Sequence, residues 1–231
     1  MKKTIGIIGG MGPMATCDLM KKIIENTSAQ CDQEHVRLYV DSNTNIPDRT
    51  AAILRGGADP RPALTESARK LEAMGADMLI LPCNTAHYFV EDVRSAVQIP
   101  VLNMQQETAK QLCRMGITAA AVLATDGTVQ SGLYDRALKE AGITPVYPDE
   151  CEQKLIMSLI YDYVKAGKEY TDLDKINSMV DNLQKKGAQG LILGCTELPI
   201  AFEPWQTALP TFDPTLILAR AAVTAAGYQV K

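Results

Sequence analysis

Residues 79–85, Leu-Ile-Leu-Pro-Cys-Asn-Thr, return 112 positions later as residues 191–197, Leu-Ile-Leu-Gly-Cys-Thr-Glu. Laying residues 70–83 on 182–195 matches Leu71 with Leu183, Gly75 with Gly187, Ala76 with Ala188, the three strand residues, and Cys83 with Cys195. That is seven identities in fourteen positions. An internal repeat of this kind constrains the fold more than any other feature, because it calls for two similar half-chains, each with an apolar strand ending on a cysteine. The 231 residues give about 100 to each half, enough to bury a core. Two such halves can present two thiols to one substrate.

Each half alternates strands with helices. In the first, residues 4–8 are an apolar strand, Gly9-Gly10-Met11-Gly12-Pro13 a tight turn, and 14–27 a helix with Pro13 in its first turn, where a missing N–H costs nothing. Strand 36–40 runs into a polar loop, 41–50, with Arg49 at its tip. Helix 63–74 precedes the first cysteine strand. Asn84 or Thr85 caps a helix running to about Val97, strand 99–102 follows, and 107–115 is helical. The second half opens with strand 119–124, and Thr125-Asp126-Gly127-Thr128 stands where the glycine turn stood. Helix 133–141, strand 145–147, helix 152–165 ending at Gly167, helix 174–186, the second cysteine strand, a segment 209–213 echoing 99–103, and helix 214–226 complete the chain. This pattern predicts an α/β fold of two pseudo-symmetric lobes, each a mostly parallel sheet flanked by helices. The second lobe is expected to begin near residue 104.

A net charge of −4 and a pI near 5.3 argue against a nucleic-acid surface, which needs a basic face. No window approaches the ~18 apolar residues of a membrane span. The Met1-Lys2-Lys3 start leads straight into a strand without a signal peptide's apolar region, so cytoplasmic residence is expected. Six cysteines, none in a CxxC pair, and two histidines supply neither a disulfide framework nor a Cys/His metal site.

A single cysteine on an apolar strand reads as a buried residue. Cys83 and Cys195 differ because both end a strand and both precede polar residues that start a helix, a setting that lowers a thiol's pKa from about 8.5 towards neutrality. They are therefore expected to be two equivalent, activated acid/base groups. Cys17, Cys31, Cys113 and Cys151 lack this setting and read as structural or incidental, and His35 as solvent-facing. His87 lies four residues beyond Cys83 and either assists that thiol or caps the turn; Glu197 stands similarly after Cys195. Arg49 and Lys165 are cations at a loop tip and a helix end on the side where parallel sheets bind ligands. Gly10-Met11-Gly12-Pro13-Met14-Ala15 also fits the dinucleotide pattern GxGxxA, with Asp41 at the end of the next strand, so a nicotinamide-linked oxidoreductase is a competing reading. A two-lobed sensor that binds acidic metabolites without turnover is another.

GGMGP at 9–13, IPDRT at 46–50, PCNTAH at 82–87 and GCTE at 194–197 together resemble the aspartate racemase branch of the aspartate/glutamate racemase superfamily, over essentially the whole chain. The resemblance implies two α/β lobes with the active site between them and the C-terminal helix returning to the first, so that the lobes are residues 1–103 plus 210–231 and residues 104–209; it also implies no pyridoxal phosphate and no metal, and a small acidic amino acid as substrate. It implies that Cys83 and Cys195 are the catalytic bases, that Arg49 and Lys165 grip the side-chain carboxylate, and that Asn84, Thr85 and Thr196 hold the α-carboxylate and α-amine. Thr125 resembles a further pocket residue. A homodimer, the commonest assembly, is expected.

Overall fold

β1 (Ile5–Gly9) is buried along its whole length, as a parallel strand covered on both faces must be, and the first sheet is built around it. The computed structural model describes residues 2–231. After α1 (Pro13–Asn26), β2 (Leu38–Ser42) pairs with one edge of β1; after α2 (Arg49–Leu54) and α3 (Arg61–Ala73), β3 (Met78–Ile80) pairs with the other, all parallel in the order β2-β1-β3. A 3-10 turn, Thr85–Phe89, leads into α4 (Val90–Ala96) and α5 (Met104–Arg114).

The second round has β4 (Ala119–Leu123), α6 (Asp126–Gln130), α7 (Leu133–Glu140), β5 (Thr144–Val146), α8 (Glu150–Ser158), a π-helical turn Leu159–Val164, α9 (Leu173–Lys185), β6 (Leu191–Leu193), α10 (Leu198–Phe202) and β7 (Thr211–Phe212). Its sheet is parallel in the order β5-β4-β6-β7. α11 (Pro214–Ala225) ends the helices. The chain divides into two compact units: one ends at Glu107 and regains Thr215–Lys231, the other is Thr108–Pro214. The expected α/β class with two parallel sheets flanked by helices is what the chain forms.

Side-chain alternation along the strands sorts the first unit's core into two layers. Ile5, Ile7, Met78 and Ile80 meet Leu19 and Ile23 of α1 and Leu218, Ala222 and Val223 of α11 on one face. Ile8, Leu79 and Leu81 meet Leu64, Ala68 and Leu71 of α3 and Val93 of α4 on the other. In the second unit Ala121, Leu123, Leu191 and Leu193 pack with Ile156, Ile160, Ile176, Met179 and Leu183.

The repeat extends to backbone hydrogen bonds. Gly75 (φ 93°) and Gly187 (φ 96°) both end a helix in the left-handed region that only glycine enters freely, and Ala76 and Ala188 then donate to Leu71 O and Leu183 O, each at 3.0 Å. Leu79 donates to Pro100 O at 2.8 Å and Leu191 to Pro210 O at 2.9 Å. The bridge of Leu79 with Val101 is thus the counterpart of the β6–β7 pairing, and segment 209–213 does echo 99–103.

Several elements differ from expectation. The second strand is Leu38–Ser42 rather than 36–40, because the β1 register carries pairing on through Ile8 with Asp41 and Gly9 with Ser42. Arg49 is not at a loop tip but opens α2, whose cap Asp48 accepts from Ala51 N–H at 2.6 Å. The helix from 107 starts at Met104 because the Asn103 side chain accepts from Gln106 N–H at 3.0 Å. Helix 152–165 is instead α8, begun by the Asp149–Glu152 capping box, followed by the π-helical turn. After Cys83 there is no continuous helix and no side-chain cap from Asn84. His87 N–H bonds to Asn84 O at 3.1 Å, in 3-10 fashion, and it is the His87 ring that donates to the Cys83 carbonyl, at 2.8 Å.

Candidate active site

The candidate residues lie at the carboxyl ends of parallel strands, where open α/β sheets place ligand contacts. In the first unit Pro82-Cys83-Asn84-Thr85 follows β3, and Cys83, Asn84 and Thr85 are all buried. His87 is 2% exposed, with both ring nitrogens engaged: one donates to the Cys83 carbonyl at 2.8 Å and the other accepts from Met104 N–H at 3.1 Å. Burial pushes its pKa from 6.5 down to about 4, so it is a neutral imidazole of fixed tautomer. Of the two roles open to His87, the ring serves the turn, since neither nitrogen is left for the Cys83 sulfur.

Gln105, at the start of α5, is a residue the sequence reading passed over. It is 2% exposed, and its Nε2 donates to Asn84 O at 3.2 Å and reaches Asn84 Oδ1 at 3.4 Å. Its signal in the sequence was its place just beyond the strand 99–102, where the expected helix start at 107 concealed it.

Arg49 is fixed by carbonyls. Nη1 donates to Ile46 O at 3.3 Å and Pro47 O at 3.0 Å, and Nη2 to Met11 O at 3.3 Å, tying α2 to the glycine turn, while Nε is buried with no partner. α2 also packs on the 3-10 turn that follows Cys83, so the two elements meet within the unit. The glycine turn itself is closed. Gly10 N–H donates to Thr16 Oγ1 at 2.9 Å. Gly10 has φ 88° and packs so tightly that an added Cβ would sit 2.3 Å from the Asn43 backbone.

In the second unit Cys195 lies two residues beyond β6, beside β4, which leads into Thr125. Thr125 is buried and caps α6 by accepting from Thr128 N–H; Gln153 Nε2 steadies that turn, donating to Ala124 O at 3.0 Å and Asp126 Oδ1 at 2.8 Å. Cys195 is half-buried, and its Sγ donates to Glu197 Oε2 at 2.9 Å. Thr196 Oγ1 donates to the same oxygen at 3.0 Å, and Lys165 Nζ lies 3.7 Å from Glu197 Oε1 and 4.5 Å above the Tyr161 ring. Cys195, Thr196, Glu197 and Lys165 thus form one network centred on Glu197.

This network overturns the expectation of two equivalent thiols of lowered pKa. Burial pushes the Cys195 thiol well above the usual range, and the Glu197 charge and its hydrogen bond add to the rise; Lys165 opposes it. The helix behind Cys195 is only five residues long and does not outweigh these effects. Cys17, Cys31, Cys113 and Cys151, expected to be structural or incidental, are exposed, whereas His35 is half-buried with a buried, unpartnered Nδ1 rather than solvent-facing.

Among the described residues no cluster of three or more His, Cys, Asp or Glu is arranged to hold a metal ion, and no helix is long and apolar enough to cross a membrane.

Comparison with known proteins gives these geometries a context. A family model described as Asp/Glu/Hydantoin racemase matches residues 8–222. A broad specificity amino-acid racemase of Bacillus subtilis is 28% identical over 229 residues, covering 95% of this chain and 96% of that one. The solved structure of Picrophilus torridus aspartate racemase gives a TM-score of 0.82 at 32% identity, covering 99% of this chain and 96% of that one. An aspartate racemase homologue from Pyrococcus horikoshii gives 0.81 at 27% identity, covering 97% and 99%.

Proposed function

The chain belongs to the Asp/Glu/hydantoin racemase family and is an amino-acid racemase, and from that premise we propose that it interconverts the enantiomers of an acidic amino acid, aspartate in preference to glutamate, with Cys83 and Cys195 as its two bases. The observation that carries this reading is the Glu197 network, which ties one strand-end thiol at 2.9 Å to a carboxylate that also pairs with a cation. No cofactor takes part in the scheme.

One sulfur, as thiolate, removes the α-proton from one face of the substrate, and the other, as thiol, returns a proton to the opposite face. The charge on the sulfurs is then exchanged, and the next turnover runs from the other enantiomer. Burial and Glu197 favour Cys195 as the thiol, the form that donates a proton, and in the half-reaction that starts from this form the scheme makes Cys83 the base. By family resemblance that start serves the D-enantiomer, and the reverse arrangement the L-enantiomer. Lys165 answers the substrate's side-chain carboxylate together with Arg49, whose guanidinium is already oriented by three carbonyls and keeps an unused Nε donor. Asn84, Thr85 and Thr196 hold the α-carboxylate and α-amine, and Thr125 lines the pocket. Donors of this kind stabilise charge that moves onto the α-carboxylate as the proton leaves.

The test is incubation of L- and D-aspartate and L- and D-glutamate in deuterated water with wild type, Cys83→Ala, Cys195→Ala and Arg49→Ala, following α-deuteration and optical rotation. Each cysteine variant is expected to lose at least ~10²-fold in racemisation, the scale of a positioned acid or base. Arg49→Ala should raise KM for the acidic substrates with both thiols intact. Racemisation at the wild-type rate by either cysteine variant would refute the two-base scheme, and an unchanged KM would remove Arg49 from the site.

A further inference from the structure

A second concavity lies in the Cys195-bearing unit, built by residues that the racemase scheme does not use. Gly167, at φ 67°, stops the helical run that carries Lys165; its N–H bonds to Val164 O at 3.1 Å, and Lys168 N–H to Tyr163 O at 2.8 Å. This glycine-terminated reversal folds the chain back over its own last turn. It sets Tyr170 edge-on to Tyr163, with centroids 4.9 Å apart at 90°. Tyr170 in turn meets Trp205 at 6.1 Å and 67°. These three half-buried rings and Ile200, which is 54% exposed, line a pocket of about 400 Å³, within the size range of small-molecule sites. The pocket also carries an exposed, oppositely charged pair on consecutive residues, Lys168 and Glu169.

An aromatic wall beside one cation and one anion is complementary to a molecule that joins an apolar ring to a compact zwitterion. A simple anion would leave Glu169 repelling it, a simple cation would meet Lys168 in the same way, and an apolar molecule would leave both charges uncompensated. We propose that this pocket is a second, non-catalytic amino-acid site whose ligand bears an aromatic side chain: Lys168 takes the α-carboxylate, Glu169 the α-ammonium, and Tyr163, Tyr170 and Trp205 receive the ring.

The position gives such a ligand a means of regulating the catalytic network. One wall belongs to the turn that presents Lys165, and the other to α10 and its continuation, which begin directly after Glu197. Lys165 and Glu197 lie 3.7 Å apart. A ligand that joins the two walls therefore biases the Lys165–Glu197 pairing, and by linkage a substrate that draws Lys165 away changes the ligand's affinity by the same factor. The binding step stands independently of the racemase reading.

Trp205 is the single tryptophan of the chain, so intrinsic fluorescence reports on the pocket wall directly. The full chain is titrated with L-phenylalanine, with 2-phenylethylamine and 3-phenylpropanoate as single-charge controls and glycine as the control without a ring. Calorimetry is run in parallel to detect binding that leaves fluorescence unchanged. L-Phenylalanine should give a saturable change in the millimolar range, each control binding at least about tenfold more weakly. Lys168→Ala should weaken phenylalanine and phenylpropanoate but not phenylethylamine, and Glu169→Ala should do the converse, with racemase activity in the absence of phenylalanine unchanged in both. Absence of saturation by both methods, wild-type titrations in both variants, or loss of binding in saturating aspartate together with competitive inhibition would each overturn the proposal. The last result would put phenylalanine in the catalytic centre.

Discussion

Acidification from pH 7 to pH 4 should remove about 3 kcal/mol of stability from the Cys83-bearing unit through His87 alone. The ring is buried, and protonation would both strip an imidazolium of water and turn Nε2, which accepts from Met104 N–H at 3.1 Å, into a second donor facing that N–H. Its pKa is therefore depressed from 6.5 to about 4 on folding. Between those values the unfolded chain binds the proton and the folded chain does not. Stability from this group is thus fully present above pH 6.5, falls as pH falls through the window, and is flat below about 4. At 1.36 kcal/mol per pKa unit, that depression amounts to about 3 kcal/mol. The comparison is with His87→Asn, which keeps a donor for the Cys83 carbonyl but has nothing to titrate. Urea unfolding followed by circular dichroism at pH 7 and pH 4 gives the stability change for each protein, and carboxylates common to both cancel in the difference. Wild type should lose about 3 kcal/mol more than the variant. Equal losses would refute the neutral, doubly engaged ring.

Two further outcomes follow from single contacts. Glu197→Gln removes the charge that helps hold the Cys195 proton, so the pH at which Cys195 becomes alkylatable by iodoacetamide should fall while burial keeps it above that of an ordinary thiol; peptide mass spectrometry reads this, and an unchanged or upward profile would count against the network. Gly10→Ala should lower Tm by about 5 °C or more, because φ is 88° and the new Cβ meets the Asn43 backbone, whereas Gly12→Ala, with no atom within 4 Å of the new Cβ, should be close to neutral; equal thermal scans for the two would contradict the packed turn.

What the sequence made legible was local. The repeat at Cys83 and Cys195, the glycines at 75 and 187, and the strand–turn–helix order all depend on residues within a few positions of one another, and each proved to have its own backbone expression. Less of the site chemistry could be read, because it comes from partners distant in sequence. His87 is neutral because Met104 reaches it, and the Asn84 backbone is held by Gln105, both from a helix whose start was placed three residues late. Cys195 departed from expectation for a different reason. A helix start lowers a thiol's pKa, but burial and a carboxylate two residues away act in the opposite direction and prevail.

The repeat also explains why the two thiols need not be alike. It duplicates the backbone that ends each strand on a cysteine but not the side chains that follow: Asn84 and Thr85 stand where Thr196 and Glu197 stand, and His87 where Pro199 stands. In the first unit the following residues secure the turn, through the His87 ring on the Cys83 carbonyl; in the second they secure the proton, through Glu197 on the Cys195 sulfur. A racemase can accommodate this difference. Its two substrates are mirror images of equal free energy in water, so kcat/KM must be the same in both directions whatever the enzyme's own asymmetry. Unequal thiols can redistribute kcat and KM between the enantiomers, and can set which protonation state the free enzyme rests in, without altering the equilibrium.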